Sequence, residues 1–352
     1  MQTARGLATL QNVFKVPLLR RKLSAAARDL GHTDARVRLE AIRDLRAPGA
    51  EGERAERIAV LLPALADTVP DVKKEALLAL ADLEAQEALP AIFALLTDGD
   101  LGVRSIATLA LGEIANPGDE EALARVRPLL AARDPALRYQ ALAAHVRLAP
   151  HEAERALTEA LVDEDAELRS LAIRLLEEHV LPKLEEFPEK WAALITTATR
   201  DGSADVRLVA ELVAGQLGLT LGYSELIAVV NRKRKVREPR DEQLAVELAG
   251  RLRLEAARPG LASRGFGTFG FAVDPFRWQA RAGLTALGDE RAKALLERAL
   301  DRGSYQERTL AVFAVGQVGL ESFRSRLEEL RNRAERLDLE VLEATLVQLD
   351  EK

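Results

Sequence analysis

The chain reads as all-α: an α-α superhelix in which about nine to ten helical hairpins stack as a single solenoid over residues 1–352. Two observations carry that expectation. Apolar residues make up 48% of the chain but aromatics only 4%, and Ala, Leu, Arg and Glu, all good helix formers, dominate. A short pattern also recurs along the length: a turn residue, usually Asp, then a small apolar residue, a basic residue, and Ala three places later.

The basic residue of that pattern stands at Arg38, Lys73, Arg104, Arg138, Arg169, Arg207, Arg277 and Arg308. The Ala stands at Ala41, Ala76, Ala107, Ala141, Ala172, Ala210, Ala280 and Ala311. Successive copies lie 31 to 38 residues apart, except for one gap of 70, twice 35, between Arg207 and Arg277. A degenerate copy is therefore expected at 242, where Glu242 replaces the basic residue and Ala245 keeps its place. A period of about 34 residues fits one helical hairpin per repeat.

Each copy reads as the second helix of its hairpin, because apolar residues return at helical spacing. The tenth residue after the basic one is Leu83, Ile114, Leu148, Leu217, Leu252, Leu287 or Val318, with Pro48 and His179 as exceptions. The recurrent Ala keeps a side chain small where neighbouring helices approach closely. Gly218, Gly288 and Gly319 offer the left-handed residue that closes a helix. Amphipathic first helices lie between, at 55–66, 86–96, 120–132, 152–162, 191–199, 224–232 and 289–300. Pro63, Pro90 and Pro128 should bend three of these or start them late.

The run Asp-x-x-Val-Arg-x-x-Ala-x-x-Ala-Leu-Gly at Asp100 to Gly112, with a looser copy at Asp205 to Gly218, resembles the HEAT repeat. The bacterial HEAT-like class that also occurs in phycobilisome lyases is especially similar, and the resemblance covers about residues 16–350. It implies a hydrogen-bonded Asp–Arg ladder along the stack, pairing Asp34 with Arg38, Asp71 with Lys73, Asp134 with Arg138 and Asp165 with Arg169, with Arg207 and Arg277 in the same column. It implies in turn a non-enzymatic scaffold or adaptor that grips a protein partner along its second helices. HEAT-like DNA glycosylases and bilin lyases make a nucleic-acid-binding protein and a tetrapyrrole lyase the alternatives. Neither has a motif that can be carried over residue by residue.

The second-helix face can be read from the residue after each basic position: Leu39, Lys74, Ser105, Tyr139 and onward to Trp278. This mixture differs from the Lys/Arg-rich groove that tracks phosphates. Tyr139 and Trp278 are candidate anchors for a partner; both can equally pack against the neighbouring repeat.

Regularity breaks between residues 231 and 276. The loop from Asn231 to Arg240 holds Arg232, Lys233, Arg234, Lys235, Arg237 and Arg240. Residues 232–264 carry ten basic and five acidic side chains, so they are net positive in a chain of net charge −6. The cluster reads either as a solvated turn or as a dock for an anionic partner, nucleic acid included. The Gly/Phe-rich segment 258–276 follows. Its four glycines between 260 and 270 cost about 1 kcal/mol each in a helix, so the first helix before Arg277 is expected to be largely lost. Phe266, Phe269, Phe271 and Phe276 either form a mobile recognition loop or fold back over the core. Gly265 to Gly270 spells Gly-x-Gly-x-x-Gly, but a dinucleotide site needs a βαβ unit around it.

Nothing points to catalysis, metal or cofactor. There is no cysteine, hence no disulfide and no thiolate chemistry. His145 and His151 are six apart, not on one helical face; His145 shares a column with Leu45, Leu80 and Leu111 and reads as core. Acidic runs such as Asp163 to Asp165 lie at helix boundaries, where they complement helix dipoles. With no run of 18 apolar residues and no leader-like start, a cytoplasmic protein without membrane insertion is expected.

Overall fold

The computed structural model describes residues 23–47, 54–180, 189–269, 272–333 and 337–350. Twenty α-helices among them pair into ten hairpins. The chain divides into two compact units, Met1–Val180 and Leu181–Lys352, with five hairpins in each. The single departure from all-α among the described residues is a two-residue antiparallel ladder, with Thr268 opposite Val273. No described helix is long and apolar enough to cross a membrane.

In the first unit the hairpins are α1 (Leu23–Asp29) with α2 (Ala35–Arg46), α3 (Arg54–Leu61) with α4 (Pro70–Asp82), α5 (Leu89–Leu95) with α6 (Leu101–Ile114), α7 (Glu120–Val126) with α8 (Pro135–Leu148), and α9 (Ala153–Ala160) with α10 (Ala166–Leu175). The prolines act as expected. Pro63 and Pro128 each tighten the end of a first helix into a 3₁₀ turn, and Pro90 opens α5 after a 3₁₀ turn. A proline near a helical start loses nothing, since its missing N–H has no intrahelical partner there.

The second unit pairs α11 (Glu189–Ala198) with α12 (Ala204–Gln216), α13 (Ser224–Val230) with α14 (Pro239–Arg251), α15 (Arg258–Phe266) with α16 (Arg277–Ala286), α17 (Glu290–Arg302) with α18 (Tyr305–Val318), and α19 (Arg324–Arg333) with α20 (Leu339–Asp350). The copy expected at Glu242 is α14. The last hairpin escapes the sequence pattern because both of its markers are replaced. Leu342 stands in the basic position and Thr345 in the Ala position, both buried, and the Thr345 hydroxyl donates to the Val312 carbonyl at 3.4 Å.

The packing role of the small column holds throughout: all nine recurrent alanines, Ala245 included, are fully buried. Gly218, Gly288 and Gly319 have φ of +70°, +82° and +77°, the left-handed closure that L-residues adopt only at a cost. His145 is buried in its leucine column, and burial lowers its pKa.

The Asp–Arg ladder forms, but with partners other than those expected. Asp34, Asp134 and Asp165 are helix N-caps; their carboxylates accept from Arg36, Leu137 and Leu168 N–H groups. Asp71 pairs with Lys74, not Lys73. Four ladder arginines instead fold back over their own turns: Arg38 donates to the His32 and Thr33 carbonyls, Arg138 to Ala132 and Arg133, Arg169 to Asp163 and Glu164, Arg207 to Asp201 and Gly202. Three cations of the column also reach an aspartate in the turn of the following hairpin. Arg38 meets Asp67 at 2.6 and 2.8 Å, Lys73 meets Asp98 at 2.6 Å, and Arg138 meets Asp163 at 2.8 Å.

Those turn aspartates are themselves fixed, accepting from the N–H two residues on, at Val69, Asp100 and Asp165. A carboxylate at the N-cap is already occupied by its own helix, which is why the bridging role passes to an aspartate two residues earlier. Hydrogen bonds from Lys73 and the Asp100 N–H hold Asp98 below the usual carboxylate range. At Asp163, burial pushes the pKa up, but the Asp165 N–H and Arg138 outweigh it. Carboxylates depressed in this way stabilise the fold above their unfolded value near pH 4, and that contribution is lost as pH falls.

Replacing Asp163 by Ala removes the Arg138 bridge and the acceptor of the Asp165 N–H together, an expected loss of about 2 kcal/mol at pH 7. Urea unfolding across pH checks this, and the gap from wild type should narrow below about pH 4 as Asp163 is protonated in the parent chain.

Candidate functional site

The second helices of the first unit present an open face. Leu39, Leu78, Leu109 and Tyr139 are half-buried, and so are Lys74 and Ser105 among them. The charges at its flanks are paired: Lys74 with Asp71 at 2.7 Å, Arg46 with Asp82 at 2.5 Å, and Arg147 with Glu113. An apolar strip with a paired polar rim has the anatomy of a protein interface. Tyr139 is thus left partly accessible.

The corresponding face of the second unit is partly closed, with Gln243, Thr309 and Phe313 still half-buried. Leu208, Leu212, Trp278 and Ala282, in the same columns, are buried. Backbones meet closely here: a Cβ on Gly250 would lie 2.4 Å from Gly283 Cα and 3.2 Å from Val318, and α14 touches α18 past α16. Helices without side chains at the crossing can draw together until their inner faces meet. Trp278 is therefore a packing residue of the last hairpins, with the Arg277 and Arg281 guanidinium groups 5.1 and 4.6 Å from its ring centroid.

Closure also buries Glu247, whose carboxylate accepts from Gln243 at 2.8 Å and from Gln279. Burial pushes its pKa up. An acid raised on folding stabilises fully below its unfolded value, about pH 4, and loses that contribution as pH rises through the folded value. Glu247→Gln keeps the acceptor and removes the buried charge. It should equal wild type near pH 4 and exceed it in stability at pH 7 to 8, measured by chemical denaturation.

The first helix expected to be lost before Arg277 is present as α15, ending only at Phe266. Its glycines serve packing. A Cβ on Gly260 would lie 2.4 Å from the Val230 carbonyl oxygen and 2.5 Å from Asn231 Oδ1, while Asn231 Oδ1 accepts from the Gly260 N–H at 2.8 Å. Tertiary contact thus outweighs helix propensity. Gly260→Ala should destabilise the chain by about 2 kcal/mol through overpacking against backbone, read as a lowered melting temperature.

Around this helix the ladder is rewired. Glu242 occupies the basic position, so the cation comes from α15: Arg264, 2% exposed, donates to Glu242 at 2.7 Å and to the Val230 and Val229 carbonyls at 3.0 and 3.1 Å. Arg264 also reaches Asp274 at 3.4 Å, and Asp274 accepts from Arg232 and from the Phe276 N–H. One repeat earlier, Arg207 pairs with Glu225 of α13, because Val236 stands where the turn aspartate would be. Glu225 also receives Arg234, which in addition holds Asp205 and the Ala204 carbonyl. Arg277 keeps the regular direction, 3.7 Å from Glu307 of the next hairpin.

The basic loop therefore separates into two sets. Arg232 and Arg234 are paired with acids, Arg232 while still exposed. Lys233, Lys235, Arg237 and Arg240 are exposed. Phe266 is half-buried with the Arg291 guanidinium 4.2 Å from its ring centroid, and Phe276 is half-buried at the start of α16. Phe271 and the Phe269 side chain lie outside the described residues. Sequence reading missed Arg264, Asp274 and Glu242 as a unit; the available signal was an acid in the basic column with an arginine in the helix that follows.

Residues 58–144, running from α3 into α8, match the family model for HEAT repeats. That stretch thus carries HEAT repeats, and the described hairpins on either side of it are built in the same helix–turn–helix manner. Similar solved structures include an engineered protein at 17% identity, covering 94% of this chain and 98% of its own, with a TM-score of 0.39. The complex of CpcE and CpcF of phycocyanin lyase from Nostoc matches at 18% identity over 71% of this chain and 96% of its own, TM-score 0.44. Human deoxyhypusine hydroxylase matches at 22% over 76% and 96%, TM-score 0.33. No curated protein matches the sequence.

Proposed function

We propose that this protein is a non-enzymatic scaffold that holds a protein partner on the second-helix face of its first unit and on the irregular 231–278 region of its second. The half-buried strip of Leu39, Leu78, Leu109 and Tyr139 between paired charges carries the reading. Apolar side chains left open at the centre of a face, with neutralised charge at its edge, favour burial against another protein. Phosphate binding would need surplus cations there, and Lys74 is already paired. A cysteine-free chain is compatible with a reducing compartment.

The test is crosslinking followed by capture from native lysate, comparing the intact chain with a Leu109→Arg, Tyr139→Ala variant whose melting temperature is unchanged. At least one captured protein should fall by about tenfold, the loss expected when one or two central contacts worth about 1.4 kcal/mol together are removed. Identical recovery of every captured protein would sink the reading for this face.

A further inference from the structure

We propose that the turn between α13 and α14 is a preformed dock for a short acidic polypeptide segment bearing an apolar side chain. The turn is held by alternate residues. Arg232 is tied to Asp274, and Arg234 to Glu225, Asp205 and the Ala204 carbonyl. The Lys233 and Arg234 N–H groups both donate to the Ala228 carbonyl, at 2.8 and 3.2 Å, and Arg232 takes a left-handed φ of +57°. The residues between and beyond the anchors, Lys233, Lys235 and Arg240, are exposed and pair with no acid among the described residues. A backbone fixed before binding spares a partner the ordering cost that a free loop would impose.

Size and surroundings favour a peptide over a nucleic acid. Proteins that track duplex DNA neutralise roughly six to ten phosphates, whereas this turn offers Lys233, Lys235 and Arg240 with the exposed Arg237 beside them. Residues 181–352 carry 27 basic and 27 acidic side chains, so an extended polyanion running beyond the turn would cross a surface with no net positive charge. A short acidic segment needs only the turn itself. The strand Ala272–Val273 leads into Asp274, which ties it to Arg232 of the turn, and Val273 is 50% exposed. Cations beside an accessible valine complement carboxylates beside an apolar side chain; a phosphate backbone has no use for the valine.

This inference rests on the scaffold reading and names the partner chemistry at its second-unit surface. Its test does not use lysate capture, so it can fail while the first-unit face still captures a protein, and the converse. The probe is a short fluorescein-labelled peptide of Glu with a central Leu, titrated with the full chain by fluorescence anisotropy at low salt. Peptide affinity should fall by about tenfold or more in Lys233→Glu, Lys235→Glu, Arg240→Glu, equivalent to about 1.4 kcal/mol at least, and should weaken with added salt. Arg298→Glu, an exposed cation on α17, should leave it unchanged, and Val273→Ala should weaken the Leu-bearing peptide but not an all-Glu one. Because the three substituted side chains are exposed and unpaired, melting temperature should stay at the wild-type value. Equal binding by the triple variant, or no binding by wild type, overturns the proposal. So does a short DNA duplex that binds more tightly than the peptide and is lost in the same variant.

Discussion

Five hairpins of this protein share one charged device at the turn between their helices. Arg38, Arg104, Arg138, Arg169 and Arg207 of the second helices gather the carbonyls of their own turns; Arg38 and Arg138 then reach an aspartate in the turn of the hairpin that follows, and that aspartate is held by its own backbone. The contact closes a turn, fixes the entry to a helix and sets the distance to the neighbour at once. Partial burial strengthens it relative to a surface ion pair, while the backbone donors and acceptors leave few lone pairs unsatisfied. The fully buried alanine column lies one helical turn further on, so charge at the turn and close packing in the helix act on the same pair of repeats.

Where this contact cannot be made in its usual sense, the charges are reversed and not abandoned. Glu242 in the basic column draws Arg264 from the next first helix, and Asp274, which Arg264 also approaches, draws Arg232 from the turn. The irregular region is consequently as tightly wired as the regular ones. The wiring has a by-product: with Arg232 and Arg234 paired to acids, the cations that alternate with them are left outward on a fixed backbone.

Both units bring the backbones of second helices into contact, at Gly112 against Ala144 in the first and at Gly250 against Gly283 in the second. They differ in which side chains fill the columns beside that contact: Leu39, Leu78, Leu109 and Tyr139 stay half-buried in the first, whereas Leu208, Leu212, Trp278 and Glu247 are buried in the second. Aromatic identity alone could not separate Tyr139 from Trp278.

Period, hairpin count to within one, helix-closing glycines, alanine packing and the place of the degenerate copy were all legible in the sequence, because each depends on interactions local to a hairpin or repeated identically along the chain. The final hairpin was not, since Leu342 and Thr345 replace both markers, nor was α15, whose glycines look like helix breakers until Val230 and Asn231 are seen against Gly260. Ladder pairing, inversion at Glu242, the pairing of Arg232 and Arg234 and the burial of Trp278 and Glu247 were decided by tertiary structure. They depend on which side chain of a neighbouring hairpin arrives within hydrogen-bonding reach and on how closely two backbones meet, and neither quantity is encoded in the spacing of a single repeat.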